Sequence, residues 1–266
     1  MRVAAIQMIS SPQPQENIAV AYRLMKEAKA QGAELVVLPE YWSTMGLRDT
    51  DKIACAEIQG AGPLQVFLAE KAKELGLWII GGTIPLSSSD PRKIFNACLV
   101  FNSNGEQIIR YDKIHLFGFT NGAESYQESN TIQEGDAVQC FDSPFGKIGL
   151  GICYDLRFPE LFRSMGACDL LVLPAAFTYT TGQAHWEILL RARAIENQCF
   201  VLASAQGGTH ESGRQTWGHS MLIDPWGKIV SQLEQGEGVI VGELDVAQLA
   251  QIRTNLPALK HRRIAC

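Results

Sequence analysis

Glu34-Leu35-Val36-Val37-Leu38-Pro39 has a near copy later in the chain, Asp169-Leu170-Leu171-Val172-Leu173-Pro174. Each copy joins an acidic residue to a short apolar run and a proline, a pattern typical of a buried strand that ends in a turn. Both copies are followed by helical sequence and then by a further apolar segment, at residues 78–82 and 200–204. The repeat indicates two halves of similar structure. The alternative is that buried strands resemble one another because they are all rich in Leu and Val.

The repeat extends to two predicted hairpins and to the helices between the strands. Residues 97–111 turn around Ser103-Asn104-Gly105 and residues 220–233 around Pro225-Trp226-Gly227, where Gly105 and Gly227 suit turns that need a positive φ. Helical sequence is predicted at residues 17–31, 63–75, 158–165 and 183–197. Strands that alternate with helices favour an α/β fold. Two similar halves predict a four-layer α-β-β-α sandwich with internal pseudo-duplication, formed by a single domain over residues 1–266.

Three apolar strands deliver a reactive side chain where each strand ends. Glu40 follows Leu-Val-Val-Leu-Pro, Lys113 follows Tyr-Asp, and Cys153 stands where Gly-Leu-Gly-Ile gives way to a polar helix start. The N–H groups at such a start favour a thiolate and can hold an oxyanion, which makes Cys153 a candidate nucleophile. Taken singly, the alternatives are a core cysteine, a capping or surface carboxylate and a solvated lysine.

The three residue types suit hydrolysis of an amide. Glu40 can take the thiol proton as Cys153 attacks the amide carbon, and can return that proton to the departing amine. Lys113 suits an oxyanion site together with the backbone N–H of Tyr154. Water activated by Glu40 then hydrolyses the thioester.

Over essentially its whole length, the chain resembles the nitrilase superfamily of carbon–nitrogen hydrolases. The resemblance is carried by Leu-Val-Val-Leu-Pro-Glu ending at Glu40, Tyr-Asp-Lys-Ile-His-Leu around Lys113, and Gly-Ile-Cys-Tyr-Asp-Leu-Arg-Phe-Pro-Glu around Cys153. It implies a Glu-Lys-Cys triad of these residues and the same sandwich fold. A second glutamate, which supports the lysine and the substrate in that family, is similar to Glu128.

The substrate pocket is expected beside these strand ends. Phe177, Thr181 and Trp186 are interpreted as pocket-lining residues, with ordinary packing as the alternative. Arg157, four residues after Cys153, can take a substrate carboxylate with both arms of its guanidinium. The competing role for Arg157 is a salt bridge, for which Asp155 and Glu160 are the nearby partners.

Other polar residues near these motifs have structural explanations. Asp155 is expected to cap the helix start rather than to act in catalysis. A pocket wall or a hydrogen-bonded core position is the expected role of His115, His185 and His219.

Within the superfamily, the chain is similar to the Nit proteins and, through residues 185–199, 205–208, 217–221 and 256–263, to the Nit1-like branch. That branch implies hydrolysis of deaminated glutathione to 2-oxoglutarate and cysteinylglycine, a metabolite repair. The alternatives are an ω-amidase acting on 2-oxoglutaramate, an N-carbamoyl amino-acid hydrolase, and an idle scaffold on the same fold. Residues 118–123 depart from the Nit pattern, which commonly has an aspartate there, and could change the pocket mouth.

Composition limits the remaining classes. The chain has 266 residues, 46% of them hydrophobic, and a formal charge of -5 without a basic cluster long enough to bind nucleic acid. Its seven cysteines show neither a disulfide framework nor zinc-ligand spacing, so no metal or organic cofactor is expected. No secretory signal or membrane span is recognised, which predicts a cytoplasmic location. The expected partners are a small-molecule amide substrate and, from the resemblance, copies of the same chain in a homodimer or larger homo-oligomer.

Overall fold

A computed structural model describes residues 1–122 and 124–264 of the chain. Cys266 lies outside the described residues. So does Ala123, the last residue of the segment 118–123 that departs from the Nit sequence pattern. The strands are β1 (Arg2–Gln7), β2 (Leu35–Val37), β3 (Trp78–Ile80), β4 (Ile84–Ser87), β5 (Ile94–Phe101), β6 (Gln107–Asp112), β7 (Gly118–Asn121), β8 (Glu124–Gln127), β9 (Cys140–Ser143), β10 (Gly146–Leu150), β11 (Leu170–Ala175), β12 (Phe200–Ala205), β13 (Ser220–Ile223), β14 (Ile229–Leu233) and β15 (Gly238–Glu243). The helices are α1 (Pro14–Ala30), α2 (Asp51–Ala54), α3 (Pro63–Leu75), α4 (Pro159–Ser164), α5 (Tyr179–Asn197) and α6 (Val246–Asn255).

Two large sheets have matching strand orders. In the first, β1, β2 and β3 are parallel neighbours, β5 pairs antiparallel with β3, and β6 completes a hairpin with β5. In the second, β10, β11 and β12 are parallel neighbours, β13 pairs antiparallel with β12, and β14 completes a hairpin with β13. An antiparallel strand flanks each set, β15 beside β1 and β9 beside β10. The predicted pseudo-duplication is therefore confirmed.

The side chains of the first sheet divide between two apolar layers because successive residues of a strand point to opposite faces. Val3 and Ala5 of β1 belong to the core shared with the second sheet. Ala4 and Ile6 of the same strand pack into a second core with helices α1 and α3. Helices α4 and α5 cover the outer face of the second sheet through residues such as Phe162. The result is the predicted α-β-β-α sandwich.

The predicted helices are present, α3 with the predicted bounds and the other three with shifted starts. Helix α1 begins at Pro14 rather than at residue 17, because a proline is well accommodated in the first helical turn. Helix α5 begins at Tyr179 rather than at residue 183, and α4 spans Pro159–Ser164 inside the predicted 158–165. None of the described helices is long and apolar enough to cross a membrane.

The segment 118–123, which departs from the Nit sequence pattern, contains strand β7. Gly118 pairs with Gln127 and Phe119 with Tyr126, so this segment forms a small hairpin with β8 outside the two large sheets. Phe117, just before it, packs against Tyr126 and Tyr154. The hairpin therefore lies beside the helix start that carries Cys153.

Candidate active site

The two sheets bring the three predicted reactive residues together below the protein surface. Glu40 follows β2, Lys113 follows β6, and Cys153 opens a short 3-10 helix, Cys153–Arg157, after β10. Their relative exposures are 1%, 0% and 7%, respectively. Buried charges are costly unless they are paired, so the partners of these side chains decide what the site can do.

Lys113 is held between two carboxylates. Its Nζ lies 2.8 Å from Glu40 Oε1, 2.8 Å from Glu128 Oε2 and 3.0 Å from Glu128 Oε1. Burial opposes the ammonium charge, but the carboxylates of Glu128 and Glu40 outweigh burial and raise the pKa of Lys113. Lys113 is therefore a fixed positive charge rather than a proton donor.

Glu40 is oriented by donors from three segments. Besides Lys113, Asn96 Nδ2 donates to Oε1 at 2.9 Å, and the backbone N–H of Ala176 donates to Oε2 at 2.9 Å. In all three contacts the Glu40 carboxylate accepts the hydrogen bond, so its orientation is fixed by groups from three different segments. The sequence analysis did not identify Asn96 or Ala176, because neither belongs to a motif around a reactive residue.

Glu128, the weakest of the sequence matches, lies in the same cluster. Its carboxylate accepts hydrogen bonds from the backbone N–H of Phe117 at 2.7 Å and from the hydroxyl of Tyr41 at 2.7 Å. Burial favours the neutral acid, but the charge of Lys113 and these hydrogen bonds hold the pKa of Glu128 below its usual value. Tyr41 was also missed by the sequence analysis, although it directly follows Glu40.

Cys153 has a strained backbone and a neutral thiol. Its φ is +50°, a left-handed conformation that is uncommon for residues other than glycine and that recurs at functional sites. The expectation that the helix start stabilises a thiolate is wrong. Burial raises the pKa of the Cys153 thiol well above its ordinary value, and Glu40 raises it further, while Lys113 offsets only part of this effect. A helix start of five residues cannot outweigh burial beside a carboxylate.

Asp155 stabilises this strained turn, as expected, and does not face the pocket. Its carboxylate accepts from the N–H of Ile152 at 2.8 Å and from the hydroxyl of Tyr111 at 2.6 Å. It also contacts the backbone N–H of His115 at 3.0 Å and His115 Nδ1 at 2.7 Å. The imidazole of His115 stacks on Phe158, with ring centroids 3.7 Å apart. His115 is a hydrogen-bonded structural residue, in agreement with the prediction.

A narrow pocket of about 10 Å³ opens beside Cys153. That volume is close to the space of a single water molecule, so a larger substrate enters only if the wall side chains move. The structure places Tyr154, Arg157, Phe177 and Thr181 in the wall of this pocket, where the sequence analysis expected them.

The Arg157 guanidinium lies between aromatic rings. It is 5.7 Å from the ring centre of Tyr154 and 5.4 Å from that of Phe177, and Nη1 lies 3.2 Å from His185 Nδ1. His185 is exposed because its position on α5 faces outward, so the prediction of a core position is wrong for this residue. Among the described residues, no carboxylate lies within ion-pair distance of Arg157, which leaves its charge available to a ligand.

Trp186 does not line the pocket, so that prediction is wrong. Its side chain is fully buried in the core, and its Nε1 donates to the carbonyl of His219 at 2.9 Å. It packs behind Phe177, with ring centroids 4.7 Å apart. Trp186 lies on the apolar face of α5, which packs against the sheet. The earlier start of α5, four residues before the predicted one, does not change this placement.

Arg214 is a second guanidinium in the pocket wall that the sequence analysis did not identify. Its Nη2 donates to the carbonyl of Ala176 at 3.1 Å, and its guanidinium lies 5.3 Å from the ring centre of Tyr126. Arg214 comes from a loop about 60 residues after the Cys153 motif, without any neighbouring pattern that marks it. Within residues 1–122 and 124–264, no group of His, Cys, Asp and Glu side chains could hold a metal ion. The site therefore offers a thiol, a carboxylate base and fixed positive charges.

Comparison with known proteins agrees with this arrangement. The model of the carbon–nitrogen hydrolase family matches residues 2–254. The chain is 41% identical to a deaminated glutathione amidase of Yersinia enterocolitica, over 98% of this chain and 92% of that protein. It is 40% identical to the omega-amidase NIT2 of Xenopus tropicalis, over 98% of this chain and 95% of that protein.

A solved structure gives the same result for the fold. The crystal structure of Saccharomyces cerevisiae Nit3, a member of branch 10 of the nitrilase superfamily, superposes with a TM-score of 0.90 at 32% identity. The match covers 99% of this chain and 97% of the yeast protein. With a family match over residues 2–254, relatives about 40% identical over nearly the whole chain and a shared fold, this chain belongs to the carbon–nitrogen hydrolase family, within the nitrilase superfamily.

Proposed function

We propose that the protein is an amidase that hydrolyses deaminated glutathione to 2-oxoglutarate and cysteinylglycine through a thioester on Cys153. The observation that carries the proposal is the buried cluster in which Lys113 Nζ lies 2.8 Å from Glu40 and 2.8 Å from Glu128. Cys153 and the unpaired guanidinium of Arg157 border one pocket beside it. The pocket supplies a nucleophile and a group that binds a carboxylate, and the adjoining cluster supplies Glu40 as the base.

In the first step, Glu40 takes the thiol proton while the Cys153 sulfur forms a bond to the amide carbon. The carbonyl oxygen becomes an oxyanion, which the charge of Lys113 and the backbone N–H of Tyr154 stabilise. The carbon–nitrogen bond then breaks as Glu40 returns the proton to the nitrogen. The amine leaves and the acyl group remains on Cys153 as a thioester.

In the second step, Glu40 takes a proton from a water molecule whose oxygen attacks the thioester carbon. A second oxyanion forms in the same place, and the carbon–sulfur bond breaks to release the acid. The proton held by Glu40 returns to the sulfur. The raised pKa of Cys153 fits this cycle, because a neutral thiol at rest requires a base at the moment of attack.

The substrate acyl group ends in a carboxylate next to its keto group, and Arg157 is the proposed ligand of that carboxylate. A guanidinium binds a carboxylate through two parallel hydrogen bonds. Phe177 and Tyr154 on either side of Arg157 supply apolar contacts for the methylene groups of the acyl chain.

An ω-amidase acting on 2-oxoglutaramate is the second candidate, because it would transfer the same 2-oxoglutaryl group to Cys153. The identities of 41% and 40% to the two named relatives do not separate these activities. An N-carbamoyl amino-acid hydrolase uses the same residues on a ureido group and releases carbon dioxide. The candidates differ in the leaving group, so the test has to vary that group.

The test compares purified protein on deaminated glutathione and on 2-oxoglutaramate, with 2-oxoglutarate as the measured product and the Cys153→Ala variant as the blank. A higher kcat/KM on deaminated glutathione supports the proposal. A higher kcat/KM on 2-oxoglutaramate identifies an ω-amidase instead. If neither substrate is cleaved, release of carbon dioxide from N-carbamoyl amino acids tests the third candidate.

Assembly and location belong to the same proposal. We propose a homodimer or larger homo-oligomer in the cytoplasm. Ile188 and Ile195 on α5 are 70% and 52% exposed, and Trp226 nearby in the fold is 64% exposed, which suits burial against another copy. Light scattering of the purified protein measures the oligomer directly, and a monomer would contradict the assembly.

A further inference from the structure

A second cavity of about 290 Å³ adjoins the catalytic pocket. Arg214 borders both spaces, and Tyr41, Thr44 and Lys52 line the second one. Tyr41 borders the second cavity, and its hydroxyl donates at 2.7 Å to Glu128, which borders the first pocket. The second cavity therefore lies next to the cluster that contains Glu128 and Lys113.

The charge of this cavity is mainly positive. Lys52 Nζ lies 5.2 Å from the ring centre of Tyr41, and no carboxylate of the described residues lies within ion-pair distance of it. Arg48, at the rim, is paired with Asp51 at 3.2 Å, and Asp49 is an exposed acidic residue at the same rim. Among the described residues that line the cavity, Asp49 is the one acidic residue, against Arg48, Lys52 and Arg214.

Polar atoms in the cavity wall also lack partners. In the part of the chain that the structure describes, three buried side-chain polar atoms have no hydrogen-bond partner, and two of them belong to Thr44 and Arg214. A buried polar atom without a partner destabilises the fold, so native proteins rarely keep one without a functional reason. The guanidinium of Arg214 and the ammonium of Lys52 both border this space, and both are groups that bind an anion.

We propose that this cavity binds the carboxylate of the leaving group, with Lys52 and Arg214 as its ligands, so that the enzyme selects amides whose amine portion carries a carboxylate. The assignment rests on the proposed function and deepens it, because it places the cysteinylglycine portion of the substrate. In this arrangement Arg157 holds the acyl carboxylate at one end of the substrate, and Lys52 holds the peptide carboxylate at the other.

The size of the space agrees with this arrangement. A dipeptide spans at most about 7 Å when extended, and the cavity of about 290 Å³ has Arg214 in common with the pocket that contains Cys153. Ammonia, the leaving group of 2-oxoglutaramate, uses none of this space. Contacts in the cavity would therefore raise kcat/KM for the peptide-like amide alone, which is how a shared acyl pocket can serve one substrate better than the other.

The experiment changes the charge of the substrate and the charge of the protein in turn. The substrates are deaminated glutathione and its C-terminal carboxamide, which has the same size but lacks the negative charge. The proteins are wild type, Lys52→Gln, and Lys26→Gln as a matched control, since Lys26 Nζ also lies over a tyrosine ring, 4.5 Å from the centre of Tyr22. Wild type and Lys26→Gln are expected to prefer the acid over the carboxamide by about tenfold or more in kcat/KM. In Lys52→Gln this preference is expected to fall about tenfold.

Three outcomes separate the failures. If wild type cleaves the acid and the carboxamide equally well, the cavity does not bind the leaving-group carboxylate, and the amidase proposal stands. If Lys52→Gln lowers kcat/KM equally on deaminated glutathione, its carboxamide and 2-oxoglutaramate, the cavity binds the acyl end instead, and the assignment is overturned. If wild type cleaves neither glutathione compound, the proposed function fails and this assignment fails with it.

Discussion

The backbone N–H of Ala176 donates to Glu40 Oε2 across 2.9 Å, and this hydrogen bond joins the two halves of the sandwich at the candidate base. Glu40 follows strand β2 of the first sheet, and Ala176 follows β11 of the second sheet. These are the two strands whose sequences repeat. The orientation of the base therefore depends on how the two sheets pack, and not on the motif that carries Glu40.

Glu40→Gln is expected to lower kcat by about 10²- to 10⁴-fold, because an amide cannot take the thiol proton. The carboxylate accepts from Lys113, Asn96 and Ala176, so the NH₂ of glutamine must face a donor. The free energy of unfolding should fall by about 1–3 kcal/mol. Steady-state kinetics and urea unfolding measure the two effects. Glu70→Gln, at an exposed position of α3, is the control. Wild-type kcat in Glu40→Gln would contradict its role as the base.

Tyr41→Phe removes only the hydroxyl that donates to Glu128 at 2.7 Å. Tyr41 is a positioning residue in this interpretation, because it reaches Lys113 through Glu128. A hydrogen bond to a charged group contributes about 1.5–3 kcal/mol, so kcat should fall about tenfold or more with a smaller change in KM. The control is Tyr179→Phe at the surface. A rise in KM at constant kcat would show that the hydroxyl contacts the substrate instead.

Arg157→Lys should raise KM for 2-oxoglutaryl amides by about tenfold or more, since an ammonium cannot reproduce two parallel hydrogen bonds. Stability should change little, because Arg157 has no ion-pair partner among the described residues. The matched control is Arg191→Lys, which alters an exposed pair with Glu187 on α5. If the Arg157 variant keeps its KM and loses stability, Arg157 has a structural role.

Alkaline pH should destabilise the protein through its buried thiols. Burial raises the pKa of Cys98 and of Cys199 far above the value of about 8.5 that thiols have in an unfolded chain. Because each thiol has a higher pKa in the folded state, its contribution to the free energy of unfolding is complete below about pH 8.5. This contribution is lost as the pH rises above that value. The free energy of unfolding should then fall by up to about 1.4 kcal/mol per pH unit for each thiol.

Urea unfolding between pH 7.5 and 10 measures this slope. Cys98→Val and Cys199→Val replace each thiol by an apolar group of similar size, so each variant should show a shallower decline than wild type. An unchanged slope in both variants would mean that other groups cause the alkaline loss of stability.

The sequence was sufficient for the parts of the site that follow from local patterns. Short apolar runs predicted the strands, and their repetition predicted two matching sheets. The exits of those strands identified Glu40, Lys113 and Cys153, which the structure brings into one buried cluster. Trp186 was assigned wrongly because a residue just after a pocket loop is equally compatible with the pocket and with the core.

Other features have no local signature. Tyr41 follows Glu40 but bonds to Glu128, and Asn96 bonds to Glu40 from strand β5. Arg214 bonds to the carbonyl of Ala176, whose N–H donates to Glu40. Only the packing of distant segments makes these contacts. The protonation of the Cys153 thiol also has no local signature in the sequence. A helix start near the thiol suggested a thiolate, whereas burial and the neighbouring Glu40 give the opposite direction.

By itself, the sequence determined the α/β class with two similar halves, the residues with reactive chemistry and the family. Apolar periodicity and strand ends are properties of neighbouring residues, so they can be recognised before the chain folds. Only the tertiary structure decided the protonation of the Cys153 thiol, the orientation of Glu40 by Ala176, and the positive cavity bordered by Lys52 and Arg214. Electrostatic interactions depend on distance and burial, and both arise when segments far apart in sequence pack together.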